Sequence, residues 1–95
     1  MLINKGFSNG DIISLKMING DELIARFESE TANDITIDRP LALTMSREGL
    51  GMIPWMMLGA KGPVIISKSH VFATLLSQKD AADQYMQGTT GIALR

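Results

Sequence analysis

The stretch ISLKMINGDELIARFES, residues 13–29, decides the fold, because alternation and turn chemistry together constrain its geometry. Ile13, Leu15 and Met17 alternate with Ser14 and Lys16, and after Asn19-Gly20 the residues Leu23, Ala25 and Phe27 alternate with Ile24, Arg26 and Glu28. A period of two marks half-buried strands with one face on a core. Asn-Gly suggests a two-residue type I′ loop, which would pair Ile18 with Asp21 and set Leu15 beside Ile24. The two apolar sets would then face opposite ways, since a one-residue slip flips every side chain. A three-residue loop over 18–20 pairs Met17 with Asp21 and Leu15 with Leu23, and keeps a single apolar face. The spacing therefore predicts a type I turn with a G1 bulge, Gly20 taking the left-handed conformation that glycine adopts cheaply.

Outward from this hairpin, the pattern predicts strands over 12–18 and 22–29, then a turn at Thr31-Ala32-Asn33-Asp34 rich in Asx chemistry. A third strand is expected over 35–43, where Ile35 and Ile37 alternate with Thr36 and Asp38. Pro40 lacks a ladder donor, so that strand must bulge or lie at an edge there. Two more strands, 64–67 and 71–76, are joined at Lys68-Ser69-His70. Ser77 with Asp80 three residues on forms a capping-box-like pair opening a helix over 77–87. Ala81, Ala82, Tyr85 and Met86 share one face of that helix, and Gly88 is its expected C′ stop. Residues 88–95 form an extended or frayed tail. Five antiparallel strands and one short C-terminal helix make a mostly-β chain and suit a small, strongly bent barrel.

Ninety-five residues fit a single domain, 1–95, with the barrel strands inside 11–76. A chain of this size buries roughly 65% of its unfolded surface, so its stability is marginal unless subunits associate. The absence of cysteine excludes disulfides and thiolate chemistry and fits a reducing compartment. The start MLINKGFSNG lacks the basic residues and apolar run of a signal peptide, so the expected location is intracellular, in the cytoplasm. A net charge of −1 and a pI near 5.7 argue against a broad electrostatic footprint for nucleic acid.

The stretch SLKMINGDELIARFES resembles the first half of the Sm fold, in particular the bacterial Hfq branch of the Sm-like family. That family shows an apolar alternation, an Asn-Gly turn, then Leu-x-Gly-x-apolar-Glu-Ser. Here Asn19-Gly20, Leu23, Phe27, Glu28 and Ser29 match, and Ala25 replaces the glycine. IISKSHVFATLL, residues 65–76, is similar to the family's second motif, two strands around a tight Lys-His turn. Lys68 falls on the family lysine and His70 one place later than the family histidine. The two stretches cover roughly a third of the chain. The family's N-terminal helix is absent, and residues 44–63 have no counterpart. A short chain with a helix after the last strand also looks like Sm-like products of viral genomes. The resemblance implies a five-stranded Sm-like barrel assembled into a homo-oligomeric ring. In the family the fourth strand of one subunit pairs with the fifth of the next, which here joins Val64, Ile65 and Ile66 to Val71 and Phe72 of a neighbour.

Motifs for catalysis are lacking: the chain has no P-loop, dinucleotide fingerprint, metal-ligand cluster or nucleophile elbow, so neither an enzyme nor a cofactor or metal protein is expected. The acid pairs Asp34 with Asp38 and Glu28 with Glu30 read as solubilising. Two readings stand for Lys68-Ser69-His70. The resemblance implies a pore-lining turn that holds single-stranded RNA, lysine on phosphate and histidine or serine on a base edge. The alternative is a polar turn that needs only solvation. The family's stacking aromatic after the second strand is missing from 31–35, which predicts weak or altered RNA affinity, since stacking supplies about 1–3 kcal/mol per base. LGMIPWMML, residues 50–58, has seven large apolar residues of nine and is too short to span a bilayer. It reads either as a buried strand closing the barrel or as a subunit or partner interface, with Trp55 as anchor and Met52, Met56 and Met57 as adaptable packing. The expected function is non-catalytic RNA binding by a homo-oligomeric ring. The alternative is a structural or protein-interaction module that keeps the ring without RNA.

Overall fold

In the computed structural model, which describes residues 6–56, 59 and 62–90, β1 (Ile12–Met17) pairs antiparallel with β2 (Glu22–Glu30). Leu15 stands opposite Leu23 and Ile13 opposite Ala25, which is the one-faced register. The Gly20 N–H donates to the Met17 carbonyl at 2.9 Å and the Met17 N–H to the Asp21 carbonyl at 2.8 Å. Gly20 lies at φ +100°, so the loop is the three-residue turn with glycine left-handed. Asn19 holds it shut, its side-chain oxygen accepting from the Asp21 N–H at 3.0 Å. The apolar residues of both strands then bury in one cluster with Ile35, Ile37 and Ile66.

β3 (Asp34–Ser46) is the longest strand, at 13 residues, and it contains an extra residue. Arg26 pairs with Asp38 and Ile24 with Leu41, leaving Arg39 and Pro40 together opposite Ala25. The expected irregularity at Pro40 is therefore a bulge, where a missing N–H breaks no ladder bond. Arg39 takes the left-handed turn at φ +51°, the one non-glycine to do so among the described residues. The extra residue reverses the parity of the strand. Ile35 and Ile37 lie in the core before it, whereas after it Ala42 packs against the core and Leu41 points to the opposite face with its partner Ile24.

That opposite face carries the helix. α1 (Lys79–Thr90) buries Tyr85 to 1% exposure, and Ile24 beneath the sheet is fully buried, although neither belongs to the main cluster. The Tyr85 hydroxyl shares its one proton between the carbonyls of Asp38 and Arg39, 2.9 and 3.0 Å away, where the bulge begins. The helix starts two residues later than expected. Ser77 does not open it: its N–H donates to the Ile12 carbonyl at 3.0 Å and its hydroxyl pairs with that of Ser14 at 2.8 Å, so it ends the β1 ladder. Nor does Gly88 stop it, because Thr89 back-bonds to the Tyr85 carbonyl at 2.9 Å and gives its own carbonyl to the Arg39 guanidinium. The predicted face holds, with Ala81, Ala82, Tyr85 and Met86 the less exposed side.

The sheet has six strands, one more than the sequence suggests. Its order is β4 (Gly49–Pro54), β3, β2, β1, β6 (Val71–Leu76), with β5 (Pro63–Ser67) on the first half of β3. The far edge of β3 is thus shared: residues 34–38 pair with β5 and residues 41–46 with β4. β4 falls in the segment that had no counterpart in the family pattern. It does not close a barrel, since Leu50 and Ile53 stay 42% and 46% exposed and Pro54 is its terminal residue rather than an interruption. The sheet remains open, with β5 and β6 on separate outer edges.

Two outcomes follow from these contacts. A Cβ at Gly20 would meet nothing within 4 Å, so Gly20→Val should lose about 1–2 kcal/mol to backbone strain alone, read from the thermal melt. Burial pushes the Tyr85 phenol from its ordinary 10.0 up to about 12, with the Asp38 carboxylate a lesser contribution in the same direction. A raised folded-state value means stability fully present below pH 10 and lost as the pH climbs through 12. Tyr85→Phe should lower the melting temperature at neutral pH and flatten the decline between pH 10 and 12 relative to the native chain.

Candidate functional site

The Lys68–His70 segment is a single 3₁₀ turn between β5 and β6, held on three sides. Ser67 caps it, its hydroxyl accepting from the Ser69 N–H at 3.3 Å and pairing with the Ser69 hydroxyl at 2.8 Å. The Lys68 N–H donates to the Asn33 carbonyl at 2.7 Å, which joins the turn to the β2–β3 connection. On the other side the Ile18 N–H donates to the His70 carbonyl at 3.0 Å, which joins it to the β1–β2 hairpin. Three loops are thereby gathered at one end of the sheet. Ser69 and His70 are exposed there.

Lys68 is not a free cation. Its ammonium lies 2.8 Å from Glu30 Oε1, both side chains about a third exposed. An ammonium has three donors, so this pairing leaves donors for a second anion, but the local charge is neutralised. Glu30 is the partner that the sequence reading missed. It ends β2 beyond a bulge, Phe27 pairing with Ile37 but Ser29 with Thr36, and only that register carries it to the turn. Two aromatic rings also reach this end. Phe7 stacks edge-on against Phe27 with ring centres 5.5 Å apart, and it lines a 270 Å³ cavity together with Glu30, Lys68 and Phe72.

The expected interface residues divide by exposure. Ile65 on β5 and Phe72 on β6 are 70% and 77% exposed, and Met56 is 52% exposed. Val64 and Val71 are half-buried against the core, and Ile66 belongs to it at 7% exposure. Met57 lies outside the described residues. Trp55 is half-buried, its backbone N–H on the Pro40 carbonyl at 3.0 Å and its indole N–H on Asp21 Oδ2 at 3.1 Å. With Met17, Ile18, Ile65 and His70 it lines an apolar groove of about 590 Å³ beside the outer edge of β5. The structure therefore brings Trp55, Met56, Val64, Ile65, Ile66 and His70 to one groove and leaves Phe72 on the other side of the turn.

Among the described residues no three or more His, Asp or Glu side chains group to hold a metal, and no helix is long and apolar enough to cross a membrane. No family model matches the chain, and no curated protein matches it. A half-exposed ion pair contributes little, so a double-mutant cycle with Glu30→Gln and Lys68→Met should give a coupling below about 1 kcal/mol in denaturant unfolding.

Proposed function

We propose that this chain is an Sm-like subunit that associates edge to edge into a homo-oligomeric ring and binds single-stranded RNA, without catalysis, at Lys68, Ser69 and His70. The observation that carries the reading is the placement of β5 and β6. Both stand on outer edges of the sheet, linked only by the Lys68–His70 turn. Inter-subunit pairing in the Sm-like family needs the equivalent strands in those positions. Each edge is also flanked by exposed apolar side chains, Ile65 on one and Phe72, Leu75 and Leu76 on the other. Uncovered edges of this kind template association, and a closed ring removes them. Pairing between neighbours also brings one Lys68–His70 turn per subunit around a common axis. A cysteine-free chain fits a reducing cytoplasmic setting.

A second reading is favoured by one specific observation, the Lys68–Glu30 ion pair. With that pairing and a net charge of −1, the same ring serves as a structural or protein-interaction module without RNA. The two readings part in a titration of fluorescent U-rich and A-rich oligonucleotides at low salt. RNA binding predicts an affinity that falls as salt rises, that weakens at least several-fold in Lys68→Ala, and that strengthens in Glu30→Gln as the ammonium is released. No binding to either oligonucleotide, with the ring intact by light scattering, leaves the interaction module. A clean monomer of 10.3 kDa at micromolar concentration sinks both.

A further inference from the structure

The β3–β4 hairpin carries a surface that neither the outer edges nor the Lys68 turn uses. The pairing of β3 with β2 ends at Ala42 and Leu23, so beyond that point β3 has, among the described residues, only β4 beside it. Opposed pairs across this ribbon are Leu41 with Pro54, Leu43 with Met52 and Met45 with Leu50, all on one face. The other face holds Ala42 with Ile53, Thr44 with Gly51 and Ser46 with Gly49. One face is wholly apolar and the other is mostly small or polar. Alternation in the sequence makes this segregation, and the Arg39 bulge sets its side, since without the extra residue Leu41, Leu43 and Met45 would continue the face of Ile35 and Ile37. Gly51 keeps the small face small, because a Cβ there would lie 2.8 Å from the Thr44 hydroxyl.

Among the described residues, cover comes at the root of the apolar face, where Gly88 and Thr89 of α1 line a 370 Å³ cavity with Leu41 and Pro54, and Leu43 and Met52 in the middle are half-buried. At the far end Met45 is 79% and Leu50 42% exposed. A two-stranded ribbon is marginal alone in water, and the exposed apolar end of this face, Met45 with Leu50, marks an interaction surface. Charge identifies the occupant. Between Pro40 and Ala60 the chain has two charged residues, Arg47 and Glu48, side by side at the tip. A ribbon with no net charge and no aromatic anchor is a poor match for an anionic lipid surface, which calls for basic residues. An identical ribbon offers both an apolar face and opposite charges at its tip. Apolar pairs would meet apolar pairs, methionines would adapt to one another, and with the ribbon tips together across a two-fold axis Arg47 of each copy would face Glu48 of the other.

We propose that the apolar face of the β3–β4 hairpin docks on the same face of a second copy of this chain across a two-fold axis. This contact is separate from the β5 and β6 edges and doubles whatever particle those edges make. The test uses the full chain and light scattering at micromolar concentration. Met45→Glu with Leu50→Glu, both outside the core, should leave the thermal melt of the fold intact and reduce the particle mass at least twofold. Arg47→Glu alone and Glu48→Arg alone should each show the same reduction, and mixing these two variants should restore the larger particle. If the ring does not form, the native chain is still a dimer that Met45→Glu with Leu50→Glu converts to monomer, which separates failure of the ring from failure of this contact. An unchanged mass in the Met45→Glu, Leu50→Glu variant overturns the proposal. So do charge variants that associate alone as well as mixed. Cosedimentation with phosphatidylserine vesicles that is lost in the glutamate variant, at unchanged mass, overturns it in favour of lipid.

Discussion

The single extra residue in β3 opposite Ala25 is the constraint on which the rest of the architecture depends. Arg39 accepts a left-handed backbone at φ +51°, a conformation that costs a non-glycine residue on the order of 1–3 kcal/mol. Several contacts offset it. The Tyr85 hydroxyl shares its proton between the Asp38 and Arg39 carbonyls, the Arg39 guanidinium reaches the Thr89 carbonyl, and the Trp55 N–H donates to the Pro40 carbonyl. One irregularity in a strand thus fixes the seat of the helix and the start of the segment after β4. The buried tyrosine is correspondingly hard to ionise.

The same residue divides β3 into two working halves. Before it, odd-numbered residues face the core and the far edge receives β5; after it, parity reverses and the edge receives β4. Because β4 occupies the second half, β5 is confined to the first, beside the β1–β2 hairpin and the Lys68–His70 turn. The outer edges of β5 and β6 then flank a turn pinned to two neighbouring loops. The Glu30 carboxylate 2.8 Å from the Lys68 ammonium neutralises much of the charge at that turn.

Much of this was legible in the residues, and the misses have physical reasons. The Asn19-Gly20 hairpin could be solved because only one loop length keeps Leu15 and Leu23 on one face. Pro40 announced a bulge or an edge position, since a strand interior cannot spare its N–H, and the structure has the bulge. Which residue would turn left-handed was not legible, as arginine has no preference for it and tertiary contacts decided. A strand within residues 50–58 was read only as a buried one closing a barrel, not as the half-exposed β4 hairpin, because Gly49 and Gly51 erase its alternation and the apolar run looked continuous rather than periodic. Ser77 and Gly88 carried ordinary helix-end signals that were overruled by Ser14 and by Thr89 with Arg39. At the candidate site the turn itself was readable, but Glu30 was not, because its place beside Lys68 depends on a bulge at Glu28 that leaves no mark in the sequence.

The central claim is that the outer edges of β5 and β6 are covered by neighbouring copies, and amide hydrogen exchange on the full chain tests it most directly. The Lys68 N–H points to Asn33 and the Ser77 N–H to Ile12, so strand alternation turns the amides of Ile65 on β5 and of Thr74 and Leu76 on β6 outward. Among the described residues these groups have no partner strand. Edge-to-edge association predicts protection at these three positions comparable to that of the inward amides of Ile66 and Leu75, and loss of that protection on dilution. Rapid exchange at Ile65, Thr74 and Leu76 at high protein concentration, with Ile66 and Leu75 protected, would contradict the account.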